Sequence, residues 1–323
     1  VLQRWIARIP RPHRALTRAI AIATVVAQGG IAVTGSIVRV TGSGLGCPTW
    51  PQCFSDSFTP APHPEFNLIN TWIEFTNRML TGAVGLLAGL CLLIALRYHQ
   101  DRPDRRLVWL AASMPIGVVL QAVIGGFTVL LGLVWWSVSV HFLVSMVLVW
   151  LAVLMTDAFD PAPLRRLPRP VRGLLGVTTL ALTALLIAGT FVTAAGPHAG
   201  DAKTPRLHAN IATVAQVHAD LLFAFLGLLV ALGFTLRLAN AQRRVARRYG
   251  WLIAAVLVQG ALGIVQYNLG VPEVLVSLHV LGAGLCVAAT AAVWSAARGS
   301  VAPAVPETGE LVAEPAVELV DVP

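Results

Sequence analysis

QAVIGGFTVLLGLVWWSVSVH, Gln121 to His141, returns in the same chain as QGALGIVQYNLGVPEVLVSLH, Gln259 to His279. In each copy a glutamine is followed four residues later by a glycine (Gly125, Gly263) and twenty residues later by a histidine. Both copies lie in long apolar surroundings, where a histidine is expensive and marks a functional position by default. A long-period repeat decides the architecture before any local reading does. It predicts two copies of a four-helix unit, each with an intramembrane histidine.

Around the repeat the chain is 56% hydrophobic and only 12% charged, far from the balance of a soluble domain. Apolar runs reach the length of about 20 residues needed to cross a bilayer. Eight spans are predicted, at 15–38, 77–96, 107–131, 137–155, 173–195, 211–236, 248–267 and 274–294. The expected fold is an all-α polytopic membrane protein of eight transmembrane helices, arranged as two tandem four-helix bundles. An even number of spans in each repeat gives both halves the same orientation, related by a pseudo-two-fold axis along the membrane normal.

The net charge of +8 is distributed as topology. Arg4, Arg8, Arg11, Arg14 and Arg18 lie before or at the start of the first span, and Arg97, Arg102, Arg105 and Arg106 fill the second connection. Arg165, Arg166, Arg169 and Arg172 fill the fourth, and Arg237, Arg243, Arg244, Arg247 and Arg248 the sixth. The odd connections hold only Arg39, Arg78, Lys203 and Arg206. By the positive-inside rule both termini and the even connections are cytoplasmic, in the cell (plasma) membrane. The alternation argues against a nucleic-acid partner; the bilayer is the partner.

RWIARIPRPHRALTRAIAIATVV, Arg4 to Val26, has the layout of a signal peptide. Its removal would leave three helices in the first half against four in the second, so the segment is read as retained. The expected division is 1–160 for the first half with its long external loop, 161–298 for the second, and 299–323 for a disordered acidic cytoplasmic tail.

The first span runs into GSIVRVTGSGLGCPTWPQC, Gly35 to Cys53. Cys47 and Cys53 lie on the outer side, where disulfides persist. They close a small loop as a disulfide, or stand as free or metal-binding thiols. Cys91 and Cys286 fall within spans and read as small core residues. Glu74 and Asn77, three apart, share a helix face if the second helix starts early enough. In the second half His218 falls opposite Asn77 within a residue, and His279 repeats His141.

His218 and His279 thus open the second and fourth helices of one unit at similar depth. Facing imidazoles in a bundle are a ready axial pair for haem iron, against the alternative of two satisfied core histidines. In the first half only His141 is present. Either one protein ligand serves that site, or another residue such as His63 swings in. Glu74 relays protons or stabilises positive charge, or else is an exposed carboxylate paired with Arg78. Arg39 and Arg78 bind anionic groups such as haem propionates, or anchor the chain at the interface. His198 and His208 read as solvated loop residues. Gln121 and Gln259 read as inter-helix hydrogen-bond donors.

VRVTGSGLGCPTWPQC, Val38 to Cys53, resembles the signature of the haem A synthase family of bacteria. So do IEFTNR (Ile73–Arg78), the GPHAGD loop (Gly196–Asp201) and the histidines of both halves. The resemblance covers nearly the whole chain apart from the tail. It implies an oxidoreductase that converts the C8 methyl of haem O to the formyl group of haem A, for assembly of a terminal oxidase. It implies haem B between His218 and His279, and haem O as substrate in the first half with its iron on His141. It matches Glu74 to the family's glutamate, and Cys47 and Cys53 to its external cysteine pair. Asn77 stands where the family usually has histidine.

Two other readings compete. A b-type cytochrome exchanging electrons with quinone would carry the histidine pair without modifying haem. A transporter with duplicated halves would show broken helices and a mid-membrane site, and no haem. No stretch argues for a homo-oligomer or for a complex with the haem O synthase, and none identifies an electron-transfer partner.

Overall fold

The computed structural model describes residues 2–161 and 164–299. The predicted acidic tail, apart from Gly299, lies outside them. Nine helices are formed among the described residues: α1 Leu2–Arg8, α2 Arg14–Val40, α3 Leu68–Asp101, α4 Arg105–Leu130, α5 Trp135–Phe159, α6 Arg169–Ala195, α7 Ile211–Leu238, α8 Arg243–Asn268 and α9 Glu273–Arg298. All but α1 are long and apolar enough to cross a membrane, and each is continuous. The protein is a multi-pass membrane protein.

Helix starts are set by local chemistry. Asn67, Asp104 and Asn210 each accept a backbone N–H of the first turn of α3, α4 and α7, satisfying groups that a helix leaves open. The cap at Asn67 corrects the expected start of the second span. Hydropathy places it near Asn77, but α3 begins at Leu68, and its first turns stand in the polar segment that hydropathy discards. Glu74 and Asn77 are therefore both helical and one turn apart. The short helix α1 was not expected from the sequence.

The first half closes into a ring, with α2 on α3, α3 on α4, α4 on α5 and α5 on α2. Helices α3 and α5 are thus diagonal. The second half consists of two tightly packed hairpins, α6–α7 and α8–α9, which touch only sparsely along α7–α8 and α6–α9. Helix α9 packs on α2 and α5 and joins the halves. Cys91 and Cys286 are buried and unpaired, as expected of core residues.

The α4–α5 and α8–α9 turns share an unusual backbone. Gly132 and Leu133 have φ of 68° and 59°, and Gly270 and Val271 have 76° and 63°. A β-branched residue is strained in this left-handed region. The Val271 carbonyl is held by His198 Nε2 at 2.8 Å, and Leu133 is buried against Gly44 and Gly200. At the other end, Arg248 of α8 grips the Asp157 carboxylate of α5 with two bonds of 2.6 Å and also donates to Ala292 O of α9.

Candidate functional site

His141 is the seventh residue of α5, His279 the seventh of α9 and His218 the eighth of α7. At about 1.5 Å per residue the three lie at nearly one depth from their helix starts. Each ring rests on a glycine of the preceding helix. A Cβ on Gly189 would fall 3.1 Å from His218 Cε1, one on Gly263 3.1 Å from His279 Cε1, and one on Gly125 3.4 Å from His141 Cε1. The repeated glycines of the sequence are therefore floors for imidazole rings. Gly189 does the same for His218, a role the sequence reading missed.

The repeated glutamines act on the backbone. Gln121 Nε2 donates to His141 O at 3.0 Å and to Ser145 Oγ at 2.5 Å, and Gln259 Nε2 donates to His279 O at 2.8 Å. Each ties the turn carrying its histidine to the neighbouring helix, as expected of inter-helix donors. His218 Nδ1 lies 3.1 Å from Leu185 O of α6, and its Nε2 makes no hydrogen bond among the described residues. The Nδ1 atoms of His141 and His279 are buried without a partner among the described residues, an expensive condition in an apolar bundle.

Cys47 and Cys53 form a disulfide. The loop they close is fastened to α3 by the Glu74–Arg78 pair. Glu74 is only 4% exposed, because the loop covers it; the pairing with Arg78 considered from sequence is present, but it is buried. Glu74 Oε2 accepts from Cys47 N at 2.7 Å, and Oε1 accepts from Arg78 Nε at 3.1 Å. Arg78 also donates to the carbonyls of Cys47, Thr49 and Gln52 and through Nη2 to Glu74. These five bonds match the five N–H groups of a guanidinium. Gly46 is needed where the loop meets α3, since a Cβ there would fall 2.7 Å from Asn70 O. At the loop tip the Trp50 indole lies directly on Gly126 of α4, the residue after the glycine that floors His141.

Arg39 reaches into the second half, donating to Thr193 O at 2.8 Å and to His198 O. The same loops meet through Gly44 N–H and Gly200 O at 2.9 Å. His198 is not a solvated loop residue, because it supports the α8–α9 turn; His208 is exposed. His63 is stacked on Phe54 with ring centroids 5.2 Å apart and accepts from Glu65 N. It does not line the cavity beside Asn77. Asp220, an acid the sequence reading passed over, is exposed on α7 and accepts from Gln216 at 2.8 Å. It lies on the opposite side of the helix from His218, as their two-residue spacing requires.

Residues 18–291 match the COX15-CtaA family model, described as cytochrome oxidase assembly protein. The chain belongs to this family. The protein called Heme A synthase in Bacillus mycoides (strain KBAB4) is 27% identical over 267 residues, 76% of this chain and 82% of that one. The Heme A synthase of Shouchella clausii (strain KSM-K16) is 33% identical over 113 residues, 35% of each chain. That of Bacillus cereus (strain AH187) is 30% identical over 124 residues, 38% of this chain and 37% of its own. The chain thus spans little more than a third of the length of the last two relatives in these matches.

Proposed function

We propose that this member of the family is a haem A synthase, an oxidoreductase that converts the C8 methyl of haem O to the formyl group of haem A for terminal oxidase assembly. The observation that carries the reading is the match of residues 18–291 to the cytochrome oxidase assembly family; the paired histidines of the second half, at one depth, on glycine floors, between two sparsely joined hairpins, give it a place for a haem. Among the described residues no third His, Cys, Asp or Glu joins them. Two imidazoles are too few for a bare ion, whereas a porphyrin brings four nitrogens of its own and needs only axial ligands. The Leu185 carbonyl fixes His218 through Nδ1 and leaves Nε2 for iron, the usual arrangement of a ligating histidine. The residues present fit haem B.

In this reading the chain divides near residue 160, with His218 and His279 holding haem B in the second half. When bound, haem B supplies one-electron transfer. The first half binds haem O as substrate, its iron on His141 and its apolar tail toward lipid. Gln121 and Gly125 hold the His141 turn and ring in place. Glu74, buried beneath the disulfide loop, handles protons or stabilises positive charge during methyl oxidation. Arg78 keeps that carboxylate and the loop in one arrangement, and Arg39 aligns the two halves at the loop end. Propionate binding by either arginine would require exchange of their present carbonyl partners. The loop end faces outward and both termini are cytoplasmic, in the cell membrane.

The test is expression in cells that make haem O but no haem A. Appearance of haem A in the membranes, and its loss with Glu74→Ala while haem B is retained, is the expected result. Haem O that stays unconverted by the unaltered protein, with its own electron donors present, would refute the assignment.

A further inference from the structure

At the end opposite the histidines, Arg244 and Arg248 face Asp157, and Arg11 and Arg97 face Asp101. Arg165, Arg166, Arg169, Arg172 and Arg298 have no acidic partner among the described residues, and they gather where α6 begins and α9 ends. Leu167 N donates to Ala297 O at 3.0 Å, which lays the segment before α6 along the last turn of α9. A Cβ on Gly299 would fall 2.9 Å from Arg166 N. Arg172 and Arg298 line one cleft of about 30 Å³, together with Leu175, Trp294 and Ala297. The Arg298 guanidinium lies over the Trp294 ring, 4.2 Å from its centroid. Arg172 Nε is buried without a hydrogen-bond partner among the described residues. Arg169 and Arg172, three apart, share a face of α6, whose first turn has no side-chain cap.

Like charges gathered around an unpartnered N–H are unfavourable until an anion satisfies them. The cleft has room for one small polar group, and outside it Arg165, Arg166 and Arg169 are exposed to a larger one. Leu175 and Trp294 make one side of the cleft apolar, and an indole at a helix end suits the headgroup level of a bilayer. We propose that the α6–α9 junction binds the headgroup of an anionic phospholipid, with a phosphate oxygen taken by Arg172 and Arg298. Basic pockets between membrane helices take such headgroups. The apolar side of the cleft serves the acyl part of the lipid, which a soluble phosphate lacks. A second anion is the chain's own segment beyond Gly299, which carries Glu307, Glu310, Glu314 and Glu318. The lipid is the favoured occupant, because headgroups surround these helix ends at all times.

The test uses the full-length protein, stripped of lipid in detergent, with cardiolipin as the probe and phosphatidylcholine and inorganic phosphate as controls. Thermal unfolding reports stabilisation, and native mass spectrometry reports bound lipid. Cardiolipin is expected to stay bound and to raise the unfolding midpoint by several degrees, and the two controls to do neither. Arg172→Gln and Arg298→Gln should each weaken cardiolipin binding about fivefold, the worth of one arginine at a charged lipid surface. Arg106→Gln should leave it unchanged, because it removes an arginine at the same end from α4, which packs on α3 and α5. Arg298 is exposed, so its variant carries the test if Arg172→Gln does not fold. Equal binding of phosphatidylcholine or equal stabilisation by phosphate would overturn the inference. A loss of affinity in Arg106→Gln as large as in the other two would do the same. So would cardiolipin binding that appears only when Glu307, Glu310, Glu314 and Glu318 are all changed to Gln, since the cleft would then belong to the chain's own acidic segment.

Discussion

His218 rests on Gly189, with Cε1 3.1 Å from where a Cβ on that glycine would stand, while its Nδ1 is 3.1 Å from Leu185 O one turn earlier on α6. The floor and the carbonyl together fix the plane of the ring, leaving Nε2 as its free nitrogen. A branched side chain on Gly189 would push the ring off this position. Gly189→Val is expected to weaken haem binding in the second half by about 10–100-fold, the usual effect of disturbing what orients a metal ligand. Haem content after purification and the low-spin optical bands measure it. Full retention of both would mean the ring is not held by its floor.

The two halves should separate by mutation. His279→Ala is expected to remove the low-spin haem B signal, whereas His141→Ala should keep that signal and stop conversion of haem O. Difference spectra of purified variants, together with haem A content of the membranes, distinguish the two. Loss of haem B in His141→Ala would contradict the division.

Arg78 uses its whole guanidinium to hold Glu74 and three loop carbonyls. Arg78→Leu would strand a buried carboxylate. Removing one partner of a buried pair costs about 3–5 kcal/mol, and a matching loss is expected in thermal unfolding of the detergent-solubilised protein. Arg78→Lys should recover only part of it, since one ammonium cannot make the same set of bonds.

The Cys47–Cys53 bridge closes a loop with a sequence separation of 6 residues. For so short a loop, chain entropy gives a contribution of about 2 kcal/mol. Cys47→Ser is expected to reduce stability by that order and to expose Glu74, visible as faster hydrogen exchange in the first turns of α3. Exchange there equal to that of the unaltered protein would show that the Arg78 bonds alone hold the loop.

At the arginine-rich end, Asp157 ties α5 to α8 through Arg248, and Arg248 ties on to α9. Asp157→Ala should cost about 2 kcal/mol, below the full cost of breaking a buried pair because both side chains retain some exposure. Thermal unfolding measures the cost. Haem content should be unchanged, because this clamp lies at the end opposite the histidines.

Much of the architecture was legible in the sequence because the bilayer leaves few choices. Apolar length gave eight spans, and the Gln–Gly–His repeat marked the histidine positions. The start of α3 was not legible, because its first turns carry Asn70, Thr71 and Glu74 and are set by the Asn67 cap and the loop above them. The burial of Glu74 was hidden for the same reason, since the covering groups come from the cysteine loop some 25 residues earlier. Gly189 lacked a visible signal because the loop after it differs in length from the loop after Gly35, which blurs the register. His198 read as a loop residue because its partner, the strained carbonyl of Val271, lies 73 residues away.

The most direct measurement is reversed-phase chromatography of the haems extracted from the purified protein, expressed in cells that make haem O. Haem B is expected together with haem O, its hydroxylated intermediate or haem A. Haem B alone would contradict a substrate site in the first half and leave an electron-carrying cytochrome, and no haem of any kind would contradict both.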